Sequence, residues 1–465
     1  MKSFAAAASC EVNMGKSLRI VVVAAFALAA LGASRHRAAN PPPAPAGPTF
    51  SKEVVRIFQA NCQTCHHPGD IGPFSLMTFS DAHVRAADIK YMTQTRQMPP
   101  WKPAQSCGIF DSPRILSQAD IDTLGQWAAN GAPEGNPADL PAPLNFEGGW
   151  ALGQPDVTLQ NTQAYTPPAV GDMYRCFSMP TNLTNDQYVS AIDIKPGDRQ
   201  TVHHVIAFID TSGESQRLDD ADPAPGYQCF GGPGFQITNL NATTLGGWAP
   251  GYRPVMLPPE VAFSLPKASR IVLQVHYHPH GPAPLPDQTQ IGIYYDKKKP
   301  KQLMRVLPLI NDTFTIPPGD SHYRVTADFS LPLFPRVDAH IWLVAPHMHL
   351  LGRTMRVDAA PLGASAPNQC LINIDDWDFN WQGMYRFKDP IPMAAGTKLS
   401  LEAFYDNSEG NWRNPNDPPK AVSWGEATTD EMCIAFLGFT IDSENLAQGN
   451  TVDVSWLPRI PASRQ

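Results

Sequence analysis

Ligand-type side chains in this chain are concentrated in a few apolar stretches, and their spacing points to metal chemistry. In IWLVAPHMHLLGRTM, residues 341–355, His347 and His349 stand two apart on a segment that reads as a strand, so both imidazoles project from one face. TVHHVIAF sets His203 beside His204, IVLQVHYHPHG carries His276, and DEMCIAFLGF carries Met432. One His-x-His alone more often marks buried imidazoles satisfied by backbone carbonyls than a ligand pair. Four such segments shift the balance, because most of the 13 His fall in these strands and one further motif. That motif is Cys62-Gln63-Thr64-Cys65-His66, the pattern by which two thiols form thioethers to a haem and the His ligates its iron. A thioredoxin-type pair or half a zinc site would leave His66 without a role.

The donor sets differ in what they would hold. Three imidazoles with no carboxylate or thiolate suit copper or zinc, whereas two imidazoles with a thioether favour Cu(I) over Zn(II). His203 and His204 face opposite ways on a regular strand, so both reach one metal only where the strand bends or ends. His278 and His280 flank Pro279 and read as outer or surface residues, and His67 as a surface residue. For the haem iron, Met98 in the Pro-rigid RQMPPW loop is the expected distal ligand, with Met77 and Met92 as competitors.

These groups need scaffolds. Residues 49–137 carry helical patterns, including LSQADIDTLGQWAANGAPEG, where Ser117 caps a helix whose Ile121, Leu124, Trp127 and Ala128 share one face. This segment resembles a small cytochrome c. From Gly149 onward short alternating strands with Pro and Gly punctuation predict two all-β, jelly-roll-like sandwiches, residues 149–307 and 308–461. With 48 Pro, 33 Gly and 43% hydrophobic residues, the 465-residue chain suits a multidomain, loop-rich β protein rather than a disordered one. A formal charge of −8 without a basic run excludes nucleic acid as the expected partner. Residues 14–34 lay out a basic start, an apolar run and small residues, which predicts a signal for export with Met14 as start, followed by a Pro/Ala linker to residue 48. The apolar run is short for a membrane span, so no stable insertion is expected after signal removal, and the body of the chain is expected in the periplasm or outside the cell.

From MYRCFSMP onward the motifs TVHHV, LQVHY, PHMHLLG and DEMC stand in the order and spacing of another family. Residues 149–461 resemble the copper type II, ascorbate-dependent monooxygenases, among them peptidylglycine alpha-hydroxylating and dopamine beta-monooxygenases. The resemblance implies that His203, His204 and His276 hold an electron-transfer copper, and that His347, His349 and Met432 hold the copper that activates dioxygen. It implies two sites facing each other across a solvent-filled cleft, C–H hydroxylation of a small molecule by O2, and ascorbate as reductant. Two positions depart from the peptide-hydroxylating members: Ala345 stands where an Arg would hold a substrate carboxylate, and Phe436 where a Tyr would stand. A carboxylate there would lack a partner, so an uncharged substrate is expected. Of 8 Cys, Cys62 and Cys65 go to haem and Cys10 precedes the body. Within the resemblance the sandwiches are expected to carry Cys176–Cys229 and Cys370–Cys433, leaving Cys107 a buried free thiol.

The expected function is an exported haem-copper monooxygenase in which the tethered haem, fed by an external electron donor, supplies electrons to the first copper. A copper-binding electron-transfer protein without turnover is the alternative. A zinc hydrolase would need a general base that the sequence does not offer, and Met432 counts against it.

Overall fold

The computed structural model describes residues 47–146, 149–237, 239–278, 284–363 and 368–458. The expected signal (residues 14–34), Cys10, most of the linker and His280 lie outside the described residues. Among the described residues no helix is long and apolar enough to cross a membrane.

The first part is a small helical unit. A π-turn over Phe50–Val54 runs into the helix Val55–Asn61, and the helices Phe79–His83, Ala86–Gln94 and Gln118–Ala129 pack around Phe58, Leu124 and Trp127. Ser117 caps the last of these by accepting from the Asp120 N–H, a contact worth about 1 kcal/mol. Ile121, Leu124 and Trp127 recur on the face that this helix buries.

Residues 101–111 leave this unit. Trp101 and Phe110 pack against the core of the C-terminal strands, Pro103 and Phe110 bridge to Ile374 and Phe387, and Cys107 is bonded to Cys370. The expected Cys370–Cys433 bond is therefore corrected. Cys433 lies on an inner strand of one sheet, fully buried against the Tyr405 hydroxyl, whereas Cys370 lies on the edge strand Gln369–Ile374 of the other sheet, where the strap reaches it. Cys107 is not a free thiol. In the preceding strands Cys176 is bonded to Cys229.

Next come two five-stranded sheets. One orders Val157–Gln160, Gln290–Tyr295, Gln187–Lys195, Val261–Leu265 and Gln302–Leu303; the other orders Tyr227–Gln228, Met173–Pro180, Arg270–Tyr277, Val202–Asp210 and Thr244–Trp248. They close over Val189, Ile192, Val205, Leu273 and Ile293. Two four-stranded sheets follow, Arg305–Asn311, Cys433–Ile441, Ala339–His347, Tyr385–Met393 and Tyr323–Ser330, Lys398–Tyr405, Gly352–Ala360, Gln369–Ile374, over Val344, Met355, Leu401 and Leu437. The first pair of sheets ends at Leu303 and the second begins at Arg305. Across that joint, Arg305 donates to the Glu444 carboxylate through both Nη atoms, at 2.9 and 2.6 Å, and through Nε to Asn241 at 2.8 Å. The buried charges are thus mutually satisfied.

Candidate metal centres

Two neighbouring strands build the first set. Along Val202–Asp210 and Arg270–Tyr277 the register pairs Val202 with Tyr277 and then His204 with His276, leaving His203 as an extra residue. A bulge of this kind lets consecutive side chains leave the same side of a strand. It resolves the demand that adjacent histidines impose. His203 Nδ1 and His204 Nδ1 come to 3.2 Å, and one nitrogen from each of His203, His204 and His276 lies within 4.8 Å of the other two.

The protonation pattern suits a cation. Asp172 Oδ1 lies 3.1 Å from His276 Nε2, so the carboxylate fixes the proton there and leaves the Nδ1 lone pair free. His276 Nδ1 is buried and has no hydrogen-bond partner. Opposed imidazole lone pairs at this spacing repel unless a proton or metal lies between them. Burial, then the neighbouring imidazoles, lowers His203 and His204 well below their ordinary values, so they are neutral donors near pH 7. Tyr174, opposite His276 on the next strand, stacks on it at 4.2 Å and 7°. His278, expected as an outer or surface residue, bonds the same Asp172 oxygen. Burial pushes the Asp172 carboxyl up, but hydrogen bonds from His276, His278 and Thr428 outweigh it and hold the group below the usual carboxylate range.

The second set sits where strands end. His347 closes the strand Ala339–His347, and His349 follows it, with ring centroids 5.1 Å apart and planes at 89°. His347 Nδ1 meets Gln382 Oε1, and His349 Nδ1 lies 3.1 Å from the Asp430 carbonyl. Each acceptor holds the proton on Nδ1 and leaves Nε2 as the donor atom for a metal. Burial, opposed by the Gln382 bond, lowers His347 to about 4; burial and then His347 lower His349 to about 3.

Strand Cys433–Ile441 runs antiparallel alongside, with Ile434 opposite His347. Met432 immediately precedes that strand, as His349 lies just beyond the end of its partner. The buried Glu431 carboxylate ties the two backbones together by accepting from the N–H groups of His349 (2.9 Å), Leu351 (2.7 Å) and Met432 (3.0 Å), while the Tyr405 hydroxyl donates to the Met432 carbonyl at 2.8 Å. Ala345 and Phe436, the positions that depart from the peptide-hydroxylating pattern, lie directly opposite each other on these strands.

Phe379 stacks on His203 at 4.7 Å and meets His349 edge-on at 5.7 Å, so a single ring separates an imidazole of each set. The stretch 426–431 joins them again. Tyr174 donates to the Glu426 carbonyl, Gly231 N–H to the Glu426 carboxylate and Thr428 N–H to Asp172, while Asp430 holds His349.

At the haem motif Cys62 and Cys65 are free thiols, and His66 Nδ1 lies 3.0 Å from the Phe74 carbonyl, leaving Nε2 available. Burial pushes the Cys62 thiol up to about 12, which keeps it protonated. Met98 is half-buried at the start of a cis Met98–Pro99 bond, its N–H donating to Met92 O. The motif faces the first pair of sheets: Arg253 bonds Thr64, and Arg199 meets Asp70 at 2.7 Å. His67 is less of a surface residue than expected, stacked on Phe146 at 4.2 Å and 2°.

Asp172, Glu431, Gln382 and Phe379 escaped the sequence reading. Glu431, an acid beside Met432 at the edge of an apolar strand, was the visible signal, because a buried carboxylate needs donors. Phe379 left none.

Residues 302–449 match the model of the copper type II ascorbate-dependent monooxygenase family, C-terminal domain. The human DBH-like monooxygenase protein 1 is 25% identical over 259 residues, covering 52% of this chain and 40% of that protein. The mouse DBH-like monooxygenase protein 1 is 24% identical over 290 residues, covering 58% and 44%. The chain thus matches less than half the length of these relatives. Among solved structures PNGF-II gives a TM-score of 0.25 at 10% identity, covering 62% of this chain and 66% of that one, a likeness that carries no argument. Through the matched segment and these relatives, the chain is similar to the copper type II ascorbate-dependent monooxygenase family.

Proposed function

We propose that this chain is an exported copper-dependent monooxygenase that hydroxylates a C–H bond of an uncharged small molecule with O2. The observation that carries the reading is the convergence of His203, His204 and His276 around a buried, unpartnered Nδ1, one ring away from His349. His203, His204 and His276 would hold one copper ion, and His347, His349 and Met432 a second, which together supply the two electrons that O2 needs. The chain's own part is positional. Asp172 and Gln382 keep protons off the donor nitrogens, and Glu431 ties the Met432 and His349 backbones to one carboxylate oxygen. Ala345 and Phe436 offer no charge to a substrate, which supports a neutral one.

In the same reading Cys62 and Cys65 carry a covalent haem with His66 as proximal and Met98 as distal ligand, within a cytochrome c-like unit over residues 49–137. Two copper sandwiches follow it, expected over 149–307 and 308–461, with the boundary moved to residue 304 because the strand Arg305–Asn311 belongs to the second pair of sheets. Electrons would come from ascorbate, or from the haem and its external donor. Entry at the three-imidazole site is supported by Arg199 and Asp70, whose ion pair joins the loop after His66 to the strand that leads to His203. The test is copper-loaded, haem-complete protein turned over with ascorbate on neutral compounds under labelled O2; label in the product is expected, and its absence across oxygen-consuming conditions sinks the reading. Anaerobic mixing of ferrous haem with cupric protein tests the haem's part: haem that stays reduced removes it.

A second reading, copper electron transfer without turnover, is favoured by the Phe379 ring between the two sets. Oxygen uptake separates the two.

A further inference from the structure

Phe379 is 6% exposed and belongs to a short stretch that touches both ligand sets. Its ring lies nearly parallel to His203, at 14°, and nearly perpendicular to His349, at 87°. Its carbonyl accepts from Gln382 Nε2 at 2.9 Å, the same amide whose Oε1 meets His347. Two residues before it, Trp377, 1% exposed, donates its indole N–H to the His349 carbonyl at 3.1 Å. The stretch is therefore fastened to the His347 imidazole and the His349 backbone of the second set and reaches across to the first with one aromatic ring.

We propose that Phe379 is a positioning residue that fixes the separation of the two metal sites and is the contact through which an electron crosses between them. Stacked and edge-on contacts hold ring centroids at defined separations, so the ring acts as a spacer. Electron tunnelling weakens steeply across water-filled gaps, and a π-system touching a ligand imidazole on each side removes such a gap. One electron leaves the copper held by His203, His204 and His276, which passes from cuprous to cupric. The copper held by His347, His349 and Met432 gains it and passes from cupric to cuprous. No proton moves and no bond forms in the chain. This role rests on the two-copper reading above, but requires neither turnover nor the haem.

The test uses the full chain, loaded with copper, and the variants Phe379→Leu, Phe379→Met and Phe379→Trp. Metal analysis and melting temperature verify loading and folding, and a wild-type chain that holds no copper overturns the two-copper reading itself. Dipolar broadening in the EPR spectrum of the doubly cupric protein reads the separation. Rapid-freeze EPR after a one-electron flash reduction reads how fast the electron redistributes between the two cupric signals. The aliphatic variants are expected to keep both ions, lose most of the broadening and redistribute the electron at least tenfold more slowly. Phe379→Trp, which keeps a ring, is expected within threefold of wild type. Aliphatic variants with wild-type lines and rates, or a Phe379→Trp protein as slow as Phe379→Leu, overturn the proposal.

Discussion

The three-imidazole set and the set at His347 and His349 hold their donors by different means. The first is written into sheet register: His204 faces His276 across adjacent strands, the bulge turns His203 the same way, and Tyr174 stacks from the next strand. The second lies where strands run out, at His347, just beyond it at His349 and just before a strand at Met432, and hydrogen bonds to Glu431, Gln382 and Asp430 hold it. A site inside a sheet inherits its rigidity from the ladder, whereas one at strand ends depends on a few buried polar contacts. The contrast implies that the fold around the second set depends more on its buried polar contacts than the fold around the first.

The largest effect is expected from ligands. His276→Ala should bind no copper at the first set and keep it at the second, His349→Ala the reverse, and both should abolish label transfer from O2. Metal analysis with EPR reads this, and loss of both ions from one substitution would show that the sets are not separately built. Next comes Glu431→Ala, which strands three backbone N–H groups and should cost about 3–5 kcal/mol by denaturant unfolding. Asp172→Ala, at a carboxylate that is itself partly exposed, should cost clearly less. Similar losses in the two variants would erase the contrast.

Smaller effects concern the partners of ligands. Asp172→Asn should weaken copper binding at the first set by roughly 10–100-fold, and Gln382→Ala should do the same at the second. Competition titration distinguishes the sets, and cross-effects would imply coupling through Thr428 and Phe379. The smallest is a pH effect at the seam. Burial raises the Glu426 carboxyl from 4.5 to about 7, with the N–H groups of Gly231 and Gly232 opposing. Between these values the folded chain keeps a proton that the unfolded chain has released, so stability falls as pH rises through that window, by on the order of 2–3 kcal/mol. Glu426→Gln should flatten the slope of melting temperature between pH 5 and 7.5, and an unchanged slope would place the titrating group elsewhere.

Much of this was legible because the signals are local. Period-two spacing exposed His347 and His349, a cap and an apolar face exposed the helix ending at Ala129, and the motif order exposed the family. Cys107 was misread because its partner lies 263 residues away, on an edge strand that only the packed strap can reach. Glu431, Asp172 and Gln382 carry their meaning in which backbone or ring nitrogen they meet, and no spacing encodes that.

By itself the chain's order of residues determined which atoms could bind metal and haem, since donor chemistry belongs to residue type and strand or helix periodicity is a short-range property. The tertiary structure alone decided the bulge that aligns His203 with His204, the cysteine that closes on Cys370, and the ring of Phe379 between the two sets. Those depend on contacts between segments far apart in the chain, fixed only once the sheets have packed.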